Sequence, residues 1–322
     1  MKKKYSKTLR DWSLTTISAV LASTMLVACG GGGSDSPEQN QQQDEEQFKT
    51  NFTLSVSDAP VDNASEVVVF FDQVELVGNG DTVDIDVTDN AGDPRRVDLL
   101  TLQGEQFANI ITDEEIPAGQ YSQVRVSITD ESYIVMQEGT FPISVPSGEL
   151  KLDGFEALQG ADEAYTIEFD LRKSLVDPKG QNGVFLKPRG VRLVKNDDVG
   201  VIEGSVNAAV LDDGACAEKV APRAGNAVYL YEQAGLTAAD LSDDADNAQQ
   251  GQVLPFTVAT VTDNSDTDAL TFNVGFVPAG DYTLAFSCEA YLDEPESNED
   301  IRFQVIQDVT VQAQQTETVV LN

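Results

Sequence analysis

The chain has 322 residues with 55 acidic and 20 basic side chains, a net charge of −35 at pH 7 and no histidine. At roughly 150 residues per domain the length suggests about two domains, and 41% apolar with 23% charged residues is ordinary for a folded protein, so disorder should be local. The missing imidazole excludes Ser-His-Asp and Cys-His nucleophile systems, histidine general bases, and zinc or copper sites that need a histidine ligand.

The first thirty residues carry an address. Lys2, Lys3, Lys4, Lys7 and Arg10 form a positive start, and the mostly apolar stretch Leu14 to Val27 follows. This matches a secretory signal and is short for a membrane span. The stretch ends Leu26-Val27-Ala28-Cys29-Gly30, which resembles the lipobox of bacterial lipoproteins. The resemblance implies that residues 1–28 are a signal peptide removed on export and that Cys29 becomes the acylated first residue. Several palmitate-like chains, at ~0.8 kcal/mol per buried methylene, give durable membrane anchoring where one chain would be marginal. Gly30 and Gly31, with no Asp beside the cysteine, resemble the pattern that sorts lipoproteins to the outer membrane of a Gram-negative cell envelope, facing either the periplasm or the surface. Residues 29–48 then read as the lipidated cysteine and a flexible tether. Its Gly, Ser, Pro and Gln-rich composition buries too little apolar surface to fold, and about 19 residues give a reach of roughly 25 Å.

Loss of residues 1–28 removes five basic groups and Asp11, leaving 54 acids and 15 bases, a net charge of −39. Such a surface repels nucleic acid and leaves inorganic cations and cationic ligands as possible partners. Solubility in salty surroundings is the plainer reading.

From Phe52 onward the chain shows β signals: two-residue alternation and Val, Ile, Thr, Tyr and Phe runs broken by Gly, Pro, Asn and Asp. The first predicted strands are Phe52 to Ser57, Glu66 to Val77, Thr82 to Thr88 and Arg96 to Leu102. In the third, Val83, Ile85 and Val87 face one way and Asp84, Asp86 and Thr88 the other, giving one buried and one wet face. Leu99 to Ile111 has room for one short helix. Strands at Tyr121 to Thr129, Tyr133 to Met136, Phe141 to Val145, Tyr165 to Leu171 and Val184 to Lys195 complete a domain at 49–197. Turn residues at Asn196-Asp197-Asp198 mark the boundary with a second domain, 198–322. There we expect strands Gly200 to Val210, Ala227 to Glu232, Val253 to Thr262, Ala269 to Phe276, Tyr282 to Ala290, Ile301 to Val311 and Thr316 to Leu321, which suit a β-sandwich. The predicted fold class is all-β, two tandem sandwich-like domains after the signal and tether.

Two cysteines follow Cys29. Cys216 and Cys288 should form a disulfide in an oxidising compartment, closing a loop of 73 residues worth roughly 4 kcal/mol in the chain-entropy model. A redox role is poorly supported, because the pair lacks Cys-x-x-Cys spacing. Ile116-Pro117-Ala118-Gly119-Gln120-Tyr121 recurs as Val277-Pro278-Ala279-Gly280-Asp281-Tyr282. Each is a turn leading into a strand, with the Tyr ring packed and the hydroxyl near the surface.

Leu54 to Pro60, Val67 to Leu76, Val97 to Leu100, Pro117 to Ser127, Val145 to Gly148, Ile167 to Leu171, Lys173 to Val176 and Leu186 to Pro188 together resemble the bacterial lipoprotein family named domain of unknown function 4382, over residues about 50–196. The resemblance implies an envelope lipoprotein and brings no catalytic residues. Residues 200–322 are more generally similar to transthyretin-like or carboxypeptidase-regulatory-like sandwiches through Gly204-Ser205-Val206, Ala227 to Leu230 and Pro278 to Leu284, which implies a non-catalytic accessory.

Candidate chemistry is sparse. Paired carboxylates for glycoside hydrolysis need a defined separation across a cleft, and with so many acids chance pairs are certain. The only Trp, Trp12, lies in the signal, leaving Tyr121, Tyr133, Tyr165, Tyr229, Tyr231, Tyr282 and Tyr291 as stacking platforms, most of them in predicted strands. Calcium suits an oxygen-only donor set, with Asp263, Asp266 and Asp268 as weak candidates, and Asp243, Asp244 and Asp246, or Asp58 and Asp62, as further ones. None fits an EF-hand loop, whose sixth position requires Gly. Seven of the twelve basic residues of the first domain lie between Arg172 and Lys195, a patch for internal ion pairs or for the acidic second domain. Lys173-Ser174 is a poor Ser/Lys nucleophile, since neighbours on a strand point apart. The sequence thus reads as a lipid-anchored, non-enzymatic binding or scaffolding module with no cofactor. A calcium- or glycan-dependent adhesion or carbohydrate-binding module is the alternative, and a carboxylate-based hydrolase a distant third. The expected partners are the membrane, through Cys29, and a protein or glycan ligand.

Overall fold

Alternating apolar and polar residues let each strand bury one face, and in the first half of the chain this builds two sheets around one core. The computed structural model describes residues 48–59, 64–78, 80, 82–176, 183–243, 250–264, 269–293, 299 and 301–322. The first sheet has four strands in the order Val191–Lys195, Asp162–Asp170, Lys49–Ala59, Ala108–Pro117. Its two central strands run parallel, with Asn51 opposite Asp162 and Asp58 opposite Phe169. The second sheet is organised around the long strand Ala64–Gly78, which pairs with Gly119–Ile128, Tyr133–Met136, Val83–Asp86 and Arg95–Asp98. Between the sheets Phe155 stacks on Phe52 and Tyr121 at 5.0 and 5.1 Å and meets Tyr165 at 4.8 Å, aromatic contacts that add to their area burial.

From Val199 the chain builds a second pair of sheets. One is ordered Thr262–Asn264, Ala269–Pro278, Val199–Val206, Thr316–Leu321, and the other Thr257–Thr260, Ala227–Tyr231, Gly280–Ser287, Val305–Val311. Every residue of Ala227–Tyr231 is buried. Val228 and Leu230 face the core between the sheets. Ala227, Tyr229 and Tyr231 face the opposite way, where Leu236, Leu241 and Ile301 cover them. Cys216, in the short helix Gly214–Ala217, is bonded to Cys288 just beyond Gly280–Ser287, with Cα atoms 5.5 Å apart. Among the described residues no strand before Asn196 pairs with one after it, yet Glu46–Asn322 forms one compact unit.

The all-β expectation is met, with local corrections. The helix expected over Leu99 to Ile111 is a 3-10 turn, Leu99–Thr101, followed by the strand Ala108–Pro117. Gly104 with φ +67° interrupts the segment, and the edge of Lys49–Ala59 draws residues 108–117 into the sheet. Glu149–Ala157 is a further strand, paired with Gly119–Ile128. Lys173 and Ser174 lie in one helical turn, Leu171–Ser174, and not on a strand, because the Asp170 carboxylate accepts the Lys173 amide at 3.2 Å and caps the turn. The Pro-Ala-Gly repeat has one geometry twice: the Tyr121 hydroxyl donates to the Pro117 carbonyl at 2.8 Å and Tyr282 to Pro278 at 2.7 Å.

Candidate functional site: a buried charged seam and an adjoining groove

Parallel pairing of Lys49–Ala59 with Asp162–Asp170 brings Asp58 beside Glu168 and Asp170 at one end of the first sheet. All three are buried, at 2%, 4% and 7% exposure. The turn Leu171–Ser174 projects Arg172 and Lys173 into the second half of the chain. The Arg172 guanidinium donates to the Asp293 carboxylate at 2.8 Å and to its main-chain oxygen at 3.2 Å. The Tyr229 hydroxyl donates to the same Asp293 oxygen at 2.5 Å. Lys173 donates to the carbonyl of Pro255 at 2.7 Å and to that of Phe256. Arg192 pairs with Glu168 and lies 3.9 Å over the Phe256 ring. Asp243 accepts the Ile301 amide at 3.1 Å. The backbones of Gly104 and Gly275 approach so closely that a Cβ on Gly275 would strike the Gly104 carbonyl.

Burial sets the electrostatics, because charge taken from water resists ionisation unless it is compensated. Desolvation pushes Glu168 up to about 7 despite Arg192, and Asp293 up to about 6 despite Arg172 and the Tyr229 hydrogen bond. Asp58 is raised well above the usual carboxylate range by burial, then by repulsion from Asp170, Glu168 and Asp98. Lys173 is lowered, chiefly by burial. Both Asp58 carboxylate oxygens lack a hydrogen-bond partner among the described residues, as does the Thr257 hydroxyl.

A wider hollow lies elsewhere. It is an open groove of about 500 Å³ bordered by Gln103, Glu203, Ser205, Thr262, Thr271 and Thr318. Its floor is Phe272, whose ring packs against the bare backbone of Gly204. Hydroxyl and amide groups dominate its lining, while Gly104 and Asn273 border both it and the seam.

Cys29, the signal and tether residues 1–47, Asp62, Asp244, Asp246, Asp266 and Asp268 lie outside the described residues. Asp263 is exposed and accepts from Arg223 at 2.8 Å. Among the described residues no group of three or more Cys, Asp or Glu side chains is arranged to hold a metal ion. Tyr121, Tyr165, Tyr229, Tyr231 and Tyr282 are buried, while Tyr291 is exposed. Most of the tyrosines therefore present no stacking face to solvent. Three residues of the basic run from Arg172 to Lys195 pair with buried acids: Arg172 with Asp293, Arg192 with Glu168, and Lys195 with Glu163 at 2.7 Å. Sequence reasoning does not group Asp58 with Glu168, Thr257 and Asn273, although acids within the otherwise apolar Tyr165 to Leu171 are a signal.

A search of curated proteins returns no match. Among solved structures, the chain is similar to a leucine-rich repeat protein from Bacteroides thetaiotaomicron (12% identity, 84% of this chain, 26% of that one, TM-score 0.21). It is also similar to the Bacillus anthracis TIE protein (10%, 84%, 33%, TM-score 0.18) and a fimbrial protein from Bacteroides ovatus (7%, 86%, 49%, TM-score 0.16). The chain thus spans about a quarter to a half of the length of these proteins. The all-β architecture stands on its own strand pairing, independent of these likenesses. Residues 49–188 match the model of the family described as Domain of unknown function (DUF4382), while the transthyretin-like resemblance of residues 200–322 gains no support from that match. With its motifs in order around a two-sheet core, the segment 49–188 of this chain is similar to the DUF4382 family.

Proposed function

We propose that the protein is a non-enzymatic binding or scaffolding module of a Gram-negative cell envelope, held to the outer membrane by acyl chains on Cys29. The observation that carries this reading is the order of basic start, apolar run and Leu26-Val27-Ala28-Cys29. Among the described residues no helix is long and apolar enough to cross a membrane, and the anchor this reading requires is the lipid on Cys29. The non-enzymatic part is supported by how the acids are used: Glu168, Asp170 and Asp293 of the seam are buried against Arg192, Lys173 and Arg172, and the open groove has Glu203 as its acid. The surface charge makes nucleic acid an unfavourable partner.

The test is to express the full chain and Cys29→Ser in a Gram-negative host with labelled palmitate. The wild type should carry label, begin at Cys29 and partition with outer membrane. Cys29→Ser should remain unlabelled and unprocessed. A soluble, unlabelled wild type cut at another residue would overturn the reading.

A second reading, a glycan-binding module, is favoured by the hydroxyl and amide lining of the groove around Phe272. Thr271→Lys and Thr318→Lys in the groove should then abolish retention on a glycan array without changing the melting temperature.

A further inference from the structure

The seam contains more negative charge than its own cations balance. Asp58, Glu168, Asp170, Asp243 and Asp293 are buried carboxylates, and the cations that face them are Arg172, Lys173 and Arg192. The sum among the described residues is two negative charges in a region closed to water. Uncompensated buried charge costs several kcal/mol per ion even after relaxation, so two counter-charges are required. Arg172 is joined to Asp293, Lys173 lies 3.4 Å from Asp170, and Arg192 is joined to Glu168. The cation pairs leave Asp58 and Asp243, of which Asp243 accepts the Ile301 amide and borders a separate hollow beside Arg172, Lys173 and Asp293. Asp58 has no cation partner among the described residues, and both its oxygens lack hydrogen bonds.

A small cavity of about 10 Å³ lies at this point, walled by Asp58, Glu168, Thr257 and Asn273 and by the main chain at Gly104 and Gly275. Its size admits one atom-sized occupant. Two features beyond the acids point into it. The Thr257 hydroxyl, on a residue 1% exposed, is without a partner, and so is the side-chain oxygen of Asn273. A carboxylate pair, a hydroxyl, an amide oxygen and nearby carbonyls form an oxygen-only donor set of the kind that suits a hard divalent cation. We propose that this cavity is a calcium site at which Asp58, Glu168, Thr257 and Asn273 join the two halves of the chain through one ion. Asp58 and Glu168 come from the first sheet, Thr257 and Asn273 from the two sheets of the second half. The ion therefore ties together elements that share no strand pairing. Magnesium is disfavoured because it needs short, near-octahedral geometry and keeps its waters. The site is separate from Asp263, which lies in the strand Thr262–Asn264, and it does not depend on how the protein is anchored.

The competing account is that two protons neutralise the seam and the cavity holds only water. Calorimetric titration of calcium into the full-length protein in detergent, after EDTA treatment, separates the two. The proposal expects one calcium per chain, proton release visible as a dependence of the heat on buffer ionisation enthalpy, and a melting temperature raised by several degrees. Magnesium at matched ionic strength should do much less. Asp58→Asn should lose the calcium response while keeping the wild-type circular dichroism, and Thr257→Val should weaken affinity roughly tenfold. If Asp58→Asn does not fold, the wild-type stoichiometry and proton release still decide the matter. No calcium-specific heat or melting shift in the wild type, a shift retained in Asp58→Asn, or an affinity unchanged in Thr257→Val overturns the proposal.

Discussion

Arg172 and Asp293 stand 121 positions apart in the chain and meet at 2.8 Å, with side chains 8% and 2% exposed. The capped turn Leu171–Ser174 places the guanidinium, and the second half of the chain supplies both the carboxylate and the Tyr229 hydroxyl that shares it. This pair fastens two sandwiches whose sheets do not pair with each other. A buried ion pair is better evidence for a specified arrangement than for net stability, because desolvation offsets most of the attraction.

Removing one partner should therefore be worse than removing both. Arg172→Met leaves Asp293 buried without its cation and is expected to cost about 3 kcal/mol, whereas Arg172→Met with Asp293→Leu should recover most of that loss. Urea unfolding of the three variants measures this, and equal losses in single and double variants would contradict it.

Acid should favour the seam when calcium is absent. Glu168 titrates near 4.5 when free and about 7 in the fold. Its contribution is thus fully present below about 4.5 and is lost as pH rises through 7. The span corresponds to on the order of 3 kcal/mol. Melting temperatures from pH 4 to 8 in EDTA should fall more for the wild type than for Glu168→Gln. Repulsion across the acidic surface acts on both and cancels in the comparison.

The recurring tyrosine turns should be equivalent. Tyr121→Phe and Tyr282→Phe each delete one hydroxyl-to-carbonyl bond and keep the ring packed, so each should cost about 1 kcal/mol. A much larger loss in one would show that its hydroxyl does more than fasten the Pro carbonyl.

Reduction of Cys216–Cys288 frees a loop closed across 72 positions. Stability should fall by about 4 kcal/mol in the chain-entropy model, read as a lower denaturant midpoint for the Cys216→Ala, Cys288→Ala double variant. Non-reducing mass spectrometry of the wild type should show no free thiol at either position.

Much of the fold was legible where local pattern and tertiary environment agree. Val83–Asp86 alternates as expected, with Ile85 buried and Asp84 and Asp86 exposed, and Thr316–Leu321 begins and ends where the sequence places it. Ala108–Pro117 was not legible. Ile110 and Ile111 are adjacent and both buried, and Asp113 has φ +50°, so alternation fails where the pairing with Lys49–Ala59 shifts register. In Glu149–Ala157, Leu150 and Leu152 are buried before Gly154 and Phe155 and Ala157 after it, so the two-residue period shifts by one position at Gly154. The seam was the least visible. Asp58 reads as a solvated acid at a strand end, and its burial depends on Thr257, Asn273 and Gly275, roughly two hundred residues later, where no local periodicity records the meeting.

The order of strands also sets when folding can begin. Lys49–Ala59 is made first, yet one of its two neighbours, Asp162–Asp170, comes more than a hundred residues later, and Val199–Val206 waits in the same way for Thr316–Leu321 at the very end. Such distant parallel pairings are slow to form, and an emerging chain leaves apolar strand edges open in the interval. A chain that crosses a membrane from its N-terminus would therefore carry two unfinished sheets in succession, each closed only by its late strand. A holding chaperone on the far side would act in these two intervals, and truncation at the last strand would leave the second sandwich open for good.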